Sequence, residues 1–194
     1  TSGPCDGFLG LSAKATQGSG DIGFKNPGLG TIDRNLNIKL AAEYDNQLKQ
    51  TIKKFALPDS AERRKAFIRS NPGIKQQTEA IGVQILAAMR DELMVRLLKF
   101  KQPELITYLL TDWMDADIVK PPYIKVTGQG NKEPYKAVAM DPTKNEKLDA
   151  LSKYKITLEK VGNESIGVKA GEKKIMKIRF KFESEKMASS VKLS

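Results

Sequence analysis

The 194-residue sequence predicts an α+β fold, and three observations carry that prediction. An alternating apolar segment and a Gly-rich turn come first, at residues 7–25. A middle region follows in which apolar residues recur every three or four positions. Beyond Pro121-Pro122 the period shortens to two. The expected architecture is an N-terminal β-hairpin, a central helical region and a C-terminal, mainly antiparallel sheet. Residues 1–118 hold the hairpin and helices and 119–194 the β-rich part, expected as parts of one domain.

Gly7-Phe-Leu-Gly-Leu-Ser-Ala-Lys-Ala-Thr16 reads as a strand, Gln17-Gly-Ser-Gly20 as a turn and Asp21-Ile-Gly-Phe-Lys25 as a returning strand. From Ile32, the residues Leu36, Leu40, Tyr44, Leu48, Ile52 and Phe55 predict one helix with a single apolar stripe, stopped by Pro58. Asp59 and Glu62 read as a capping pair for a short helix ending at Asn71-Pro-Gly73. Ile81, Ile85, Met89, Leu93 and Leu97 predict a second long helix, and Pro103 starts another that runs to about Trp113. Strands are expected at 123–127, 135–139, 154–161, 165–169 and 175–182, with a short helix near 143–152.

Composition excludes several kinds of chemistry. With no histidine, no Ser-His-Asp or Cys-His machine and no His-bearing zinc site can be built. One cysteine, Cys5, permits no internal disulfide, which fits a reducing cytoplasm. No apolar run approaches the length needed to span a membrane. Thr1 is not an initiator methionine and Ala188–Ser194 reads like a strand that stops midway, so a fragment of a longer chain is expected, a processed mature form being the other reading.

Charge is unevenly placed. Residues 1–118 carry 16 basic and 14 acidic side chains, whereas 119–194 carry 17 and 9. A local surplus of this kind favours polyanions through phosphate contacts and counterion release, and it also solubilises a surface.

The first hairpin is a candidate site. Alternation groups Ser12 with Lys14, and a four-residue loop would set Asp21 on a diagonal from Lys14, about 7–8 Å away. Two readings stand: a surface Lys14–Asp21 ion pair, or a catalytic lysine that stabilises a developing phosphorane or positions the attacking water beside a carboxylate-held divalent cation.

Here the chain resembles a known family. The apolar strand ending in Lys14, the Gly-rich turn, and Gly20-Asp-Ile-Gly-Phe-Lys-Asn-Pro-Gly-Leu-Gly30 look like the catalytic hairpin of some type II restriction endonucleases of the PD-(D/E)xK superfamily. Tyr123-Ile-Lys-Val-Thr-Gly-Gln-Gly130, Lys177-Ile-Arg-Phe-Lys-Phe-Glu-Ser184 and Ala188-Ser-Ser-Val-Lys192 look like late strands of such enzymes. The resemblance implies a restriction-endonuclease-like fold and Mg2+-dependent hydrolysis of double-stranded DNA within a short recognition sequence, usually by a homodimer. Lys14 matches the lysine of the (D/E)xK element, and Ser12 stands where the family carries an acid. For the metal, Asp21 is the nearest carboxylate. Asp6 lies eight residues from Lys14, about 26 Å along an extended strand, so it serves only if the chain bends sharply. A further acid is expected upstream of Thr1. Glu172-Lys-Lys174 and Asp141-Pro-Thr-Lys144 read as turns.

In Ile175-Met-Lys-Ile-Arg-Phe-Lys-Phe182, alternation predicts an apolar face of Met176, Ile178, Phe180 and Phe182, with Lys177, Arg179 and Lys181 together on the other. These cations, about 6.6–7 Å apart, form a row suited to a phosphate backbone, Arg179 being able to contact a base in bidentate fashion. Lys25, Asn26, Lys125 and Gln129 lie beside Gly-rich turns and extend the nucleic-acid-binding set. Arg63-Arg64-Lys65 reads as a solvated helix face. The alternatives to an endonuclease are a non-catalytic nucleic-acid-binding or virion-associated module using the basic sheet, and an adaptor whose basic surface serves solubility.

Overall fold

In a computed structural model, which describes residues 10–16, 25–114, 123–129, 136–140 and 145–194, the chain is α+β. Six α-helices lie among these residues, and a four-stranded antiparallel sheet occupies the C-terminal part. Two compact units form, one from Thr1–Lys25, Lys101–Thr157 and Lys169–Ile175, the other from Asn26–Phe100, Leu158–Val168 and Met176–Ser194. Among the described residues, no helix is long and apolar enough to cross a membrane.

The first unit contains a three-stranded sheet. Strand β1 (Gly10–Thr16) runs parallel to β2 (Tyr123–Gln129), which is antiparallel to β3 (Lys136–Met140). The returning strand expected at 21–25 lies outside the described residues except for Lys25. Lys25 lies in no strand, and its N–H donates to the Trp113 carbonyl at 2.9 Å. The strands near 123 and 136, expected in one sheet with the later strands, belong to this separate sheet with β1.

Helix α5 (Gln102–Tyr108) begins where Glu104 accepts the Lys101 N–H at 3.0 Å, with Pro103 in the first turn. It widens into a π-helical turn, Leu109–Trp113, that buries Leu109, Leu110 and Trp113. The Gln102 amide behaves like a peptide group toward strand β4 (Ile156–Val161): it accepts the Ile156 N–H at 2.7 Å and donates to the Ile156 carbonyl at 3.2 Å. Helix α6 (Glu146–Lys153) is capped by the Asn145 carboxamide oxygen, which accepts from the N–H groups of Lys147 and Leu148.

In the second unit the helix expected from Ile32 to Phe55 is two helices, α1 (Leu29–Leu36) and α2 (Leu40–Phe55). Asn37 ends α1 in the left-handed region, φ 53°, which asparagine adopts at modest cost. The Asp33 carboxylate then accepts the N–H groups of Leu40 at 2.8 Å and Ala41 at 2.9 Å, so a residue of α1 caps α2. Leu36 and Leu40 are both buried, and their spacing of four continues the stripe across the break.

Ser60, rather than Asp59, caps α3 (Ala61–Ser70), its hydroxyl accepting the Arg63 N–H at 3.2 Å. Asn71 closes α3 and immediately precedes α4 (Pro72–Leu97), in which Pro72 takes the first helical position. The predicted stripe is buried at Ile85, Met89, Leu93 and Leu97.

The four-stranded sheet has the order β4 (Ile156–Val161), β5 (Ser165–Ala170), β6 (Lys173–Phe182) and β7 (Val191–Leu193). Between β6 and β7, residues 183–190 dock on the helices. Tyr44 donates its hydroxyl to the Ser189 carbonyl at 2.7 Å and meets the Phe182 ring edge-on at 6.0 Å. Burial pushes the Tyr44 hydroxyl pKa up to about 12, so it remains a donor. Arg64, expected on a solvated face, is buried at 5 % exposure. It donates to the carbonyls of Met187, Pro58 and Asp59, because three backbone acceptors converge where its guanidinium lies.

Candidate nucleic-acid interface

Strand β6 builds the face that the sequence predicts. Ile178 and Phe180 are fully buried, Met176 and Phe182 half-buried, and Lys177, Arg179 and Lys181 exposed. The apolar side chains anchor the strand by burial, and the two-residue period turns the three cations to water. Strand β7 adds a fourth: in the antiparallel register Lys192 is the direct partner of Lys181, flanked by the pairs Phe180–Leu193 and Phe182–Val191. Lys192 was absent from the sequence-based set, although the alternation Val191-Lys192-Leu193 carries the signal, with both apolar neighbours buried.

Among the described residues, Glu164 and Glu183 pair with cations of this face. Glu164 follows the β4–β5 turn, and its Oε1 lies 2.6 Å from both Nε and Nη2 of Arg179. Backbone pairing holds it there, since the Phe180 N–H donates to the Glu164 carbonyl at 2.9 Å. The turn is itself fixed to α4: Arg90, buried, donates to the Gly162 carbonyl at 2.6 Å. Asp91 accepts from Arg90 at 2.7 Å and Lys160 at 2.9 Å, which holds its carboxyl below the usual range. Glu183 pairs with Lys192 and accepts the Ser190 hydroxyl, and the Lys192 ammonium is the larger cause of its lowered pKa. Lys177 and Lys181 have no ion-pair partner among the described residues.

The other predicted residues fall in the first unit, at its border with the second in sequence, or outside the described residues. Ser12 and Lys14 lie on β1 in register with Lys125 and Thr127 of β2, so Ser12, Lys14 and Lys125 occupy one parity of the parallel pairing. Gln129 ends the same register opposite Thr16. Asp6 and Asp21 lie outside the described residues, as does Asp141-Pro-Thr-Lys144. Among the described residues no group of three or more His, Cys, Asp or Glu side chains sits together to hold a metal ion. The Lys25 ammonium donates to the Thr111 carbonyl at 2.5 Å, tying it to the π-helical turn, while Asn26 is exposed. Glu172 falls in the tight β5–β6 turn after Gly171 at φ 56°, exposed as Lys174 is.

Compared with known proteins, the chain matches no family model, no curated protein and no solved structure.

Proposed function

We propose that the protein is a sequence-specific endonuclease of the PD-(D/E)xK type that hydrolyses phosphodiester bonds of duplex DNA with Mg2+. The observation that carries this reading is the position of Lys14. It lies inside a strand whose seven residues are all in register with β2, so its backbone is fixed, as an ammonium that must meet a reacting phosphate requires. In the rival Glu172-x-Lys174 the acid sits in a turn and the lysine is exposed at the start of β6. In this reading Lys14 neutralises charge developing on the phosphorane, and Ser12, at the acid position, supplies a hydroxyl. Bound Mg2+ would supply Lewis-acid stabilisation. The described residues hold no acidic cluster that fits it, so the carboxylates fall to residues such as Asp21 and Asp6 that lie outside them. Lys177, Arg179 and Lys181 hold the backbone, and a homodimer would place two such chains on a symmetric site.

Plasmid digestion is the test. Purified protein with Mg2+ should yield discrete fragments, and Lys14→Ala should abolish cutting with an unchanged circular dichroism spectrum. Random degradation, or undiminished cutting by the variant, overturns the proposal.

A second reading, a nucleic-acid-binding module without catalysis, is favoured by Lys177 and Lys181, which are exposed and have no ion-pair partner among the described residues. Salt-dependent binding of DNA with no Mg2+-dependent cleavage selects it.

A further inference from the structure

We propose that Glu164 and Glu183 are exchangeable internal counterions, and that duplex nucleic acid docks on β6 and β7 by displacing them from Arg179 and Lys192. The inference rests on the nucleic-acid reading of this face and adds how the face is gated. Its four cations fall into two kinds. Lys177 and Lys181 are exposed and have no ion-pair partner among the described residues, whereas Arg179, between them on β6, and Lys192, opposite Lys181 on β7, each carry a carboxylate. Free and neutralised cations therefore alternate along one surface.

The geometry of the Arg179 pair suits replacement. Two guanidinium nitrogens converge on the single oxygen Oε1 of Glu164 at 2.6 Å, an arrangement that one phosphate oxygen reproduces. Both pairs are solvent-accessible: Arg179 and Glu164 side chains are 48 % and 29 % exposed, those of Lys192 and Glu183 50 % and 42 %. Exposed ion pairs contribute little stability, so giving one up for a phosphate contact costs little. The displaced carboxylates remain tethered nearby, by the β4–β5 turn and by the chain after β6, and repel the incoming phosphates. They weaken loose electrostatic capture and favour ligands that satisfy several cations at once.

The same face selects the kind of nucleic acid. No aromatic ring is among the exposed residues of β6 and β7: Phe180 is fully buried and Phe182 packs against Tyr44. Unpaired bases therefore find nothing to stack on, and the row addresses the sugar–phosphate backbone of a duplex.

Fluorescence anisotropy with a labelled duplex oligonucleotide, in EDTA across a NaCl series, tests the proposal on the whole protein. Lys177→Ala and Lys181→Ala should each weaken binding and lower the slope of log affinity against log salt by about 1. Glu164→Gln and Glu183→Gln should each tighten binding about two- to fivefold at low salt. Glu79→Gln, which removes an exposed carboxylate of α4, should change it less. If the lysine variants behave as expected but neither glutamine variant of the face exceeds Glu79→Gln, the counterion inference is overturned while the nucleic-acid reading stands. If the lysine variants bind like the parent protein, the face is misassigned. If the parent protein fails to bind duplex even at low salt, both readings fall.

Discussion

Arg64 donates through Nε to the carbonyl oxygen of Met187 at 2.8 Å, a bond joining helix α3 to the segment between β6 and β7. The same guanidinium donates through Nη1 to Pro58 at 3.0 Å and Asp59 at 2.7 Å, so among the described residues this buried charge is satisfied by carbonyl dipoles. Met187 is fully buried with φ at 62°, a backbone state that the surrounding contacts must hold. Arg64→Ala should cost about 2–4 kcal/mol in chemical denaturation, because it strands three acceptors. Arg64→Lys should recover only part, lacking the fork that reaches all three.

Asp33 caps a helix it does not belong to. Asp33→Ala should destabilise the fold by about 1 kcal/mol, the loss expected for a cap serving two backbone donors. Asp33→Asn, which keeps one acceptor oxygen, should fall between. Thermal melts of the three proteins order them; equal stability of Asp33→Ala and the parent would remove the capping role.

Gly82 is required by a close approach rather than by its backbone angles. A Cβ built there would lie 2.8 Å from Cβ and 2.7 Å from Cδ of Lys186. In an exposed helix Gly→Ala gains about 1 kcal/mol. Here Gly82→Ala should instead destabilise, since the near end of the Lys186 side chain cannot swing away without moving the docked segment. In a Lys186→Gly background the same substitution should turn neutral or stabilising, and a double-mutant cycle measures the difference.

The Arg69–Glu185 pair, 2.7 Å apart, gives the docked segment an acid-sensitive contact. Arg69 is the largest cause of the lowered Glu185 pKa. An unfolded glutamate titrates near about 4.3, so the pair contributes in full above that pH and loses its contribution as pH falls through the lower folded value. Stability measured by urea titration should therefore rise with pH through this acidic interval, and Glu185→Gln should make that rise shallower. An unchanged acid limb would show that the pair adds no pH-dependent stability.

What the sequence could reveal followed the range of each interaction. The stripe Ile85, Met89, Leu93, Leu97 and the alternation of β6 are local and periodic, and burial follows them closely. The break between α1 and α2 left no periodic trace, because Leu36 and Leu40 keep helical spacing across it. Asn71-Pro-Gly73 read as an ending because the chemistry that closes α3 also opens α4. The surface row Lys177, Arg179 and Lys181 was legible for the same reason as the core beneath it. Its counterions were not, since Glu164 reaches Arg179 only through strand pairing. Arg64 read as solvated because its acceptor Met187 lies 123 positions away.

The parallel pairing of β1 with β2 has a consequence for biosynthesis. Its first pair, Gly10 with Tyr123, encloses the five helices α1–α5. On a translating ribosome adding about 5–20 residues per second, β1 waits on the order of ten seconds for its partner to emerge. During that interval the helices can condense through their own nearer contacts, while the early strand stays available to chaperones or to a neighbouring nascent chain.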